Sequence, residues 1–251
     1  MASEFEGPRT AIVTGGARRI GAAMCRALAA DGWHVLIHHN RSHEEAASLA
    51  AELGNAATVR ADLADPDAPG AIVAALDGLP PARLLVNNAS LFVHDVADSF
   101  TVESWDSHLR VNLRAPALLS QALASQVGLI VNLLDAKLAA PNPDFFSYTV
   151  SKHGLAGLTE LLARAWASRG IRVCAIAPAV TLVSGAQSGE NFDSVHALNA
   201  LGRGVAVEEI VAALRFIVAT PTFTGQTIVL DGGQRFLSLP RDVQFLETSD
   251  G

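Results

Sequence analysis

Short apolar runs alternate with longer stretches of helical period along almost the whole chain. Thr10–Thr14, Val35–His38, Ala57–Ala61, Leu84–Asn87, Leu129–Leu134, Ile171–Ala177 and Thr227–Leu230 are apolar runs of strand length. Between them the pattern predicts helices from about Arg18 to Asp31, over Glu44–Leu53, Ala68–Leu76, Ser147–Arg169 and Ala206–Ala219, and a long one over Val102–Gln126 interrupted at Pro116. Seven strands with intervening helices predict an α/β fold with a doubly wound parallel sheet. With no internal repeat, linker or low-complexity tract, residues 1–251 read as a single domain, flexible over 1–8. The segment 180–201 is loosely patterned and rich in Ser, Gly and Asn. It follows a strand's C-terminal end, where such sheets bind ligands, and is read as a substrate loop or as plain surface.

Composition supports this picture. Half of the residues are apolar and only 6% aromatic, which suits a parallel sheet buried on both faces. A net charge of -7 with no basic run argues against nucleic-acid binding. Cys25 and Cys174 lack metal-type spacing, and the pair fits a reducing compartment. No apolar run approaches the roughly 18 residues of a membrane span, and Met1–Arg9 has no signal-like apolar core; a soluble cytoplasmic protein is expected.

The first strand runs into Thr14-Gly15-Gly16-Ala17-Arg18-Arg19-Ile20-Gly21, a glycine-rich turn that opens a helix. Glycines allow a tight turn and close phosphate approach, and the helix N-terminus offers N–H donors and positive dipole. The second strand ends in His39-Asn40-Arg41-Ser42, with no acid to accept from a ribose 2′-hydroxyl. A guanidinium and a hydroxyl there suit a 2′-phosphate, so Arg41 and Ser42 favour NADP(H), with Arg18 or Arg19 adding charge; a solvated surface arginine is the alternative for Arg41. The adjacent His38 and His39 face opposite ways on a strand and no third ligand is evident, so no metal site is expected. Asp62-Leu63 is placed to meet an adenine, and Asn88-Ala89-Ser90 to lie against the ribose and nicotinamide.

Tyr148 and Lys152 are one helical turn apart and can converge on one spot. An ammonium beside a tyrosine, together with oxidised nicotinamide, lowers the phenol pKa from about 10 and makes it a proton shuttle. Lys152 can also hold the ribose hydroxyls, and Asn112 can anchor a water leading from Lys152 to solvent.

As a set, the Thr14–Gly21 turn, Asn87-Asn88-Ala89, Asn112, Tyr148-x-x-x-Lys152, Pro178 and Asp231-Gly232-Gly233 resemble the short-chain dehydrogenase/reductase family over nearly the whole chain. The resemblance implies a Rossmann-type fold, hydride transfer from a nicotinamide, Tyr148 as acid, Lys152 as its electrostatic partner and Asn112 as relay anchor. It extends the cofactor site to Ile20, Pro178, Thr181 and Leu182, and implies a homo-oligomer, dimer or tetramer, built through the long helices.

Three departures narrow the substrate. Asp135 stands where the family usually has serine, Arg19 where it has a glycine, and Ser90-Leu91-Phe92 offers serine and an aromatic ring after Asn88-Ala89. An ionised carboxylate accepts hydrogen bonds and repels a developing alkoxide, so Asp135 suits a substrate with N–H donors or a ring nitrogen to be protonated. Together these features resemble the pteridine reductase branch, including bacterial dihydromonapterin reductases. That resemblance assigns pterin stacking to Phe92, substrate contact to Arg19 and Ser90, and proton relay to Asp135 with Tyr148. Core packing for Phe92 and a helix-cap role for Asp135 are the structural alternatives. A carbonyl reductase of the same family and a non-catalytic NADPH-binding sensor are the rival functions.

Overall fold

The computed structural model describes residues 5–183 and 188–246. Residues 1–4 of the expected flexible N-terminus and 184–187 of the 180–201 loop lie outside the described residues. Seven strands, β1 (Thr10–Val13), β2 (His34–His39), β3 (Ala56–Arg60), β4 (Ala82–Asn87), β5 (Leu129–Leu133), β6 (Arg172–Pro178) and β7 (Thr227–Leu230), form one sheet in the order β3-β2-β1-β4-β5-β6-β7. Every neighbouring pair is parallel. The winding reverses between β1 and β4, which leaves a crevice at the strands' C-terminal ends.

The helices are α1 (Arg19–Ala30), α2 (His43–Leu53), α3 (Ala68–Ala74), α4 (Val102–Leu109), α5 (Ala115–Leu123), α6 (Phe146–Trp166), α7 (Gly189–His196) and α8 (Val207–Ala219). Successive strand residues feed opposite faces, as a period of two requires. Val13, Val35, Ile37, Val86 and Val131 pack with Met24, Leu28, Ile210 and Leu214 of α1 and α8. Ile12, Leu36, Leu85, Ile130 and Val173 pack on the other face with Ile72, Leu119 and Leu123 of α3 and α5. Each such aliphatic side chain contributes about 1.5–3 kcal/mol through burial. Phe5, within the stretch expected to be flexible, is buried and packs at a tilt against Trp33, ring centroids 5.4 Å apart.

Two elements differ from the expected pattern. The break in the long helix falls over Arg110–Arg114, a π-helical turn just before Pro116 rather than at it. Proline has no N–H and its ring crowds the carbonyl four residues back, that of Asn112, so the preceding turn widens. The 180–201 segment holds α7, whose N-cap Ser188 accepts the Asn191 N–H at 3.1 Å. Among the described residues no helix is long and apolar enough to cross a membrane, and no cluster of His, Cys, Asp and Glu could hold a metal.

Candidate active site

The glycine-rich turn is built against the ends of β2 and β4. Gly15 has φ +60° and its N–H donates to His38 Nδ1 at 3.1 Å. Burial lowers the His38 pKa to about 4, so the ring is neutral and its Nε2–H donates to the Ala61 carbonyl at 3.1 Å. Thr14 Oγ1 accepts the N–H groups of Asn88 and Ala89, both at 3.0 Å, and Asn88 Nδ2 donates to the carbonyls of Thr14 and Gly15. A Cβ on Gly15 would stand 3.0 Å from Ala89 Cα, and one on Gly21 would stand 2.2 Å from the Gly15 carbonyl oxygen. The floor is therefore bare backbone at the N-terminus of α1, a cradle that fits the pyrophosphate of a dinucleotide.

Arg19 occupies this turn at φ +56°, a conformation that costs a non-glycine residue about 1 kcal/mol or more. Arg19 lines the cavity, and burial, then the neighbouring Arg18, lower its pKa. Arg18 itself pairs with Glu45 on α2 at 3.3 Å, on the exposed side.

One cavity of about 460 Å³ runs from this turn to the far side of Tyr148. It brings together Gly15, Arg18, Arg19, Ile20, Asn88, Ala89, Ser90, Phe92, Asp135, Tyr148, Lys152, Pro178, Thr181 and Leu182. His39, Asn40, Arg41, Ser42, Asp62 and Leu63 stand outside it, at and beyond the ends of β2 and β3. There Arg41 is exposed, and Asp62 Oδ1 accepts the Ala64 N–H at 2.9 Å.

The start of α6 is fixed by Asp95, which accepts the Ser147 N–H at 2.9 Å through its side chain and the Phe146 N–H at 3.0 Å through its carbonyl. That anchor sets Tyr148, whose buried hydroxyl donates to Asp135 Oδ2 at 2.7 Å. Asp135 Oδ1 accepts the Lys137 N–H at 2.8 Å and caps the short 3₁₀ turn Ala136–Ala139. One carboxylate thus has both the cap and the tyrosine bond that the sequence left as alternatives.

The protein's own groups around the tyrosine shift its pKa upward. Burial first, then the charge and hydrogen bond of Asp135, hold the Tyr148 phenol well above its ordinary value. Lys152 Nζ donates to the Leu133 carbonyl at 2.8 Å and lies 5.6 Å from the tyrosine ring centroid. Burial lowers its pKa to about 8, against an upward pull from Asp135.

Asn112 lies behind the cavity, fully buried. Its Oδ1 accepts the Leu91 N–H at 2.7 Å, and its Nδ2 donates to the Leu91 carbonyl at 2.9 Å and to Ser151 Oγ at 3.0 Å. The side chain clamps the Ser90–Leu91 segment to α6. Pro116, four residues on, has no N–H to give the Asn112 main-chain carbonyl.

Phe92 stacks on Phe145, centroids 4.0 Å apart, and meets Tyr148 edge-on at 4.7 Å, yet it still lines the cavity. Lys137, Asp144, Arg241 and Asp242 carry no motif and were not expected, although Lys137 and Asp242 line the cavity. Asp144 Oδ2 accepts Arg241 Nε at 2.7 Å across 97 residues of chain, a separation that no local spacing reveals.

A family model described as short chain dehydrogenase matches residues 9–193. The chain belongs to the short-chain dehydrogenase family. Among solved structures, it is similar to the FolM alternative dihydrofolate reductase 1 from Brucella canis complexed with NADP, at 40% identity and TM-score 0.87, over 96% of each chain. The FolM alternative dihydrofolate reductase 1 from Brucella suis in complex with NADP is also 40% identical, with TM-score 0.86, over 96% of this chain and 97% of that one. Among curated short-chain dehydrogenases, a 3-oxoacyl-[acyl-carrier-protein] reductase from Synechocystis sp. is 30% identical over 238 residues, 90% of this chain and 96% of that protein.

Proposed function

We propose that the chain is an NADPH-dependent reductase that transfers hydride to the C=N bond of a dihydropterin-like ring and gives the tetrahydropterin. The observation that carries this reading is the Tyr148 Oη–Asp135 Oδ2 hydrogen bond of 2.7 Å. A carboxylate at the tyrosine tip would oppose the alkoxide that forms from a ketone but favours a nitrogen gaining a proton. The 40% identity to two NADP-bound FolM structures supports both the cofactor and the substrate class.

When bound, NADPH supplies the hydride. Gly15, Arg18, Arg19 and Ile20 would hold its phosphates, Arg41 and Ser42 its 2′-phosphate, and Asn88, Ala89 and Lys152 its nicotinamide half. Tyr148 stays protonated at neutral pH and acts as a hydrogen-bond donor and acid. The ring nitrogen beside the reacting carbon competes with Asp135 for the phenolic proton, and Asp135 orients the hydroxyl and relays protons to it. Hydride on carbon and proton on nitrogen saturate the bond. Phe92, backed by Phe145, forms a flat apolar wall for the ring. Exposed Val102 on α4 and Leu161 on α6 support assembly through the long helices.

A ketone or 3-oxoacyl reductase is the second reading, favoured by the 30% identity to the Synechocystis enzyme. NADPH oxidation measured with dihydrobiopterin, dihydromonapterin, dihydrofolate and a panel of ketones separates the two. Turnover of pterins or dihydrofolate with little ketone activity is expected; turnover of ketones alone would overturn the pterin reading.

A further inference from the structure

The chain after β7 returns across the molecule and closes one side of the cavity, where Leu239, Asp242, Val243 and Gln244 line it. Its path is fixed at several points. Asp144, with its side chain 1% exposed, accepts Arg241 Nε at 2.7 Å, Arg241 Nη2 at 2.8 Å and the Asp242 N–H at 2.8 Å. Val243 is buried, and Phe245 stacks on Phe145, the ring that also backs Phe92. The backbone that carries Asp242 is thus tied directly to the start of α6 and to the aromatic wall.

Two carboxylates share this cavity, with different bonding. Asp135 has one oxygen on Tyr148 and the other on the Lys137 N–H. Asp242 caps the Gln244 N–H through Oδ1 at 3.2 Å, and its Oδ2 meets Lys137 Nζ at a long 3.5 Å. A carboxylate accepts about four hydrogen bonds, so Asp242, which lines the cavity, keeps acceptor capacity. It lines the same cavity as Tyr148 and Asp135. Arg241, the Asp242 N–H and Phe245 also dock the segment, independently of this side chain. A carboxylate with incomplete pairing in a largely buried wall is otherwise a cost to the fold.

We propose that Asp242 is a substrate-specificity residue of this site: held by the Arg241–Asp144 pair, its carboxylate accepts hydrogen bonds from adjacent N–H groups of an amino-substituted heterocycle and fixes that ring beside Tyr148. The inference rests on the pterin reading above and assigns the two carboxylates separate tasks, Asp135 to the proton and Asp242 to recognition. Paired N–H donors on one edge of an aminopyrimidine match the two oxygens of a carboxylate.

The test is steady-state NADPH oxidation with 7,8-dihydrobiopterin by the full chain and its Asp242→Asn and Arg241→Ala variants. Asp242→Asn keeps the shape but turns one acceptor into a donor, and should raise KM for the pterin about tenfold or more. KM for NADPH should stay within about twofold, which also reports a folded cofactor site. Arg241→Ala should raise the pterin KM in the same direction, and Arg241→Lys should recover part of it. If the wild type reduces the pterin and Asp242→Asn leaves its KM unchanged, the specificity role is overturned while the reductase reading stands. If the wild type reduces no dihydropterin, the reductase reading fails and this assignment fails with it.

Discussion

Tyr148 and Asp135, thirteen residues apart in sequence, share one hydrogen bond of 2.7 Å in the wall of the cavity. The bond makes the tyrosine a poorer tyrosinate and a better-oriented donor. Replacing Asp135 by serine, the family's usual residue, removes the carboxylate and its charge. Asp135→Ser should lower kcat/KM for dihydropterin about a hundredfold or more and affect any ketone activity less. Parallel kinetics on both substrates check this; an unchanged pterin rate would count against the proposed role.

Lys152 gives the free enzyme a titration near neutrality. Its pKa is lowered to about 8 by burial, so the ammonium is present below pH 8 and lost above it. A residue needed as a cation therefore predicts kcat/KM for NADPH that is level below about pH 8 and falls above it. Lys152→Arg keeps the charge at all accessible pH, so whatever activity it retains should lack that limb. A pH profile of both proteins from 6 to about 10 decides it.

Arg41 stands exposed beyond β2. Its proposed partner is a 2′-phosphate, which NADH lacks. Arg41→Ala should raise KM for NADPH about tenfold and leave that for NADH nearly unchanged. Equal effects on the two cofactors would remove the phosphate assignment.

Asp144 links stability to pH. Burial pushes its pKa up, but the hydrogen bonds from Arg241, the Asp242 N–H and His94 outweigh this and hold it at about 2, below the ordinary 3.8. A carboxyl depressed on folding adds stability above its unfolded pKa and loses it as pH falls through the folded one. The contribution, about 2 kcal/mol, is thus complete above roughly pH 5, falls through pH 4 to 2 and is gone near pH 1. Asp144→Asn should lower Tm at pH 7 and narrow its gap to the wild type as the pH approaches 2, in thermal melts across that range.

Much of the fold was legible because its signals are local. The strand runs agree with the seven observed strands to within a residue or two. The α7 helix was missed because its few buried positions, such as Val195, sit among Ser, Gly and Asn. The helix break expected at Pro116 lies instead in the π turn before it, because the proline acts on the preceding turn. At the site, the Tyr148–Lys152 spacing and the glycine turn reveal themselves as motifs, whereas Asp144 and Arg241 carry none.

By itself the sequence determined the doubly wound sheet, the order of its motifs and the convergence of Tyr148 with Lys152, because periodicity and helical spacing act over a few residues. Tertiary structure alone decided that Asp135 binds both the tyrosine and its own 3₁₀ turn, that Asn112 faces Leu91 and Ser151 rather than the cavity, and that Asp242 joins the site. Those outcomes depend on contacts between distant segments and on burial, which sets how strongly each charge acts on its neighbour.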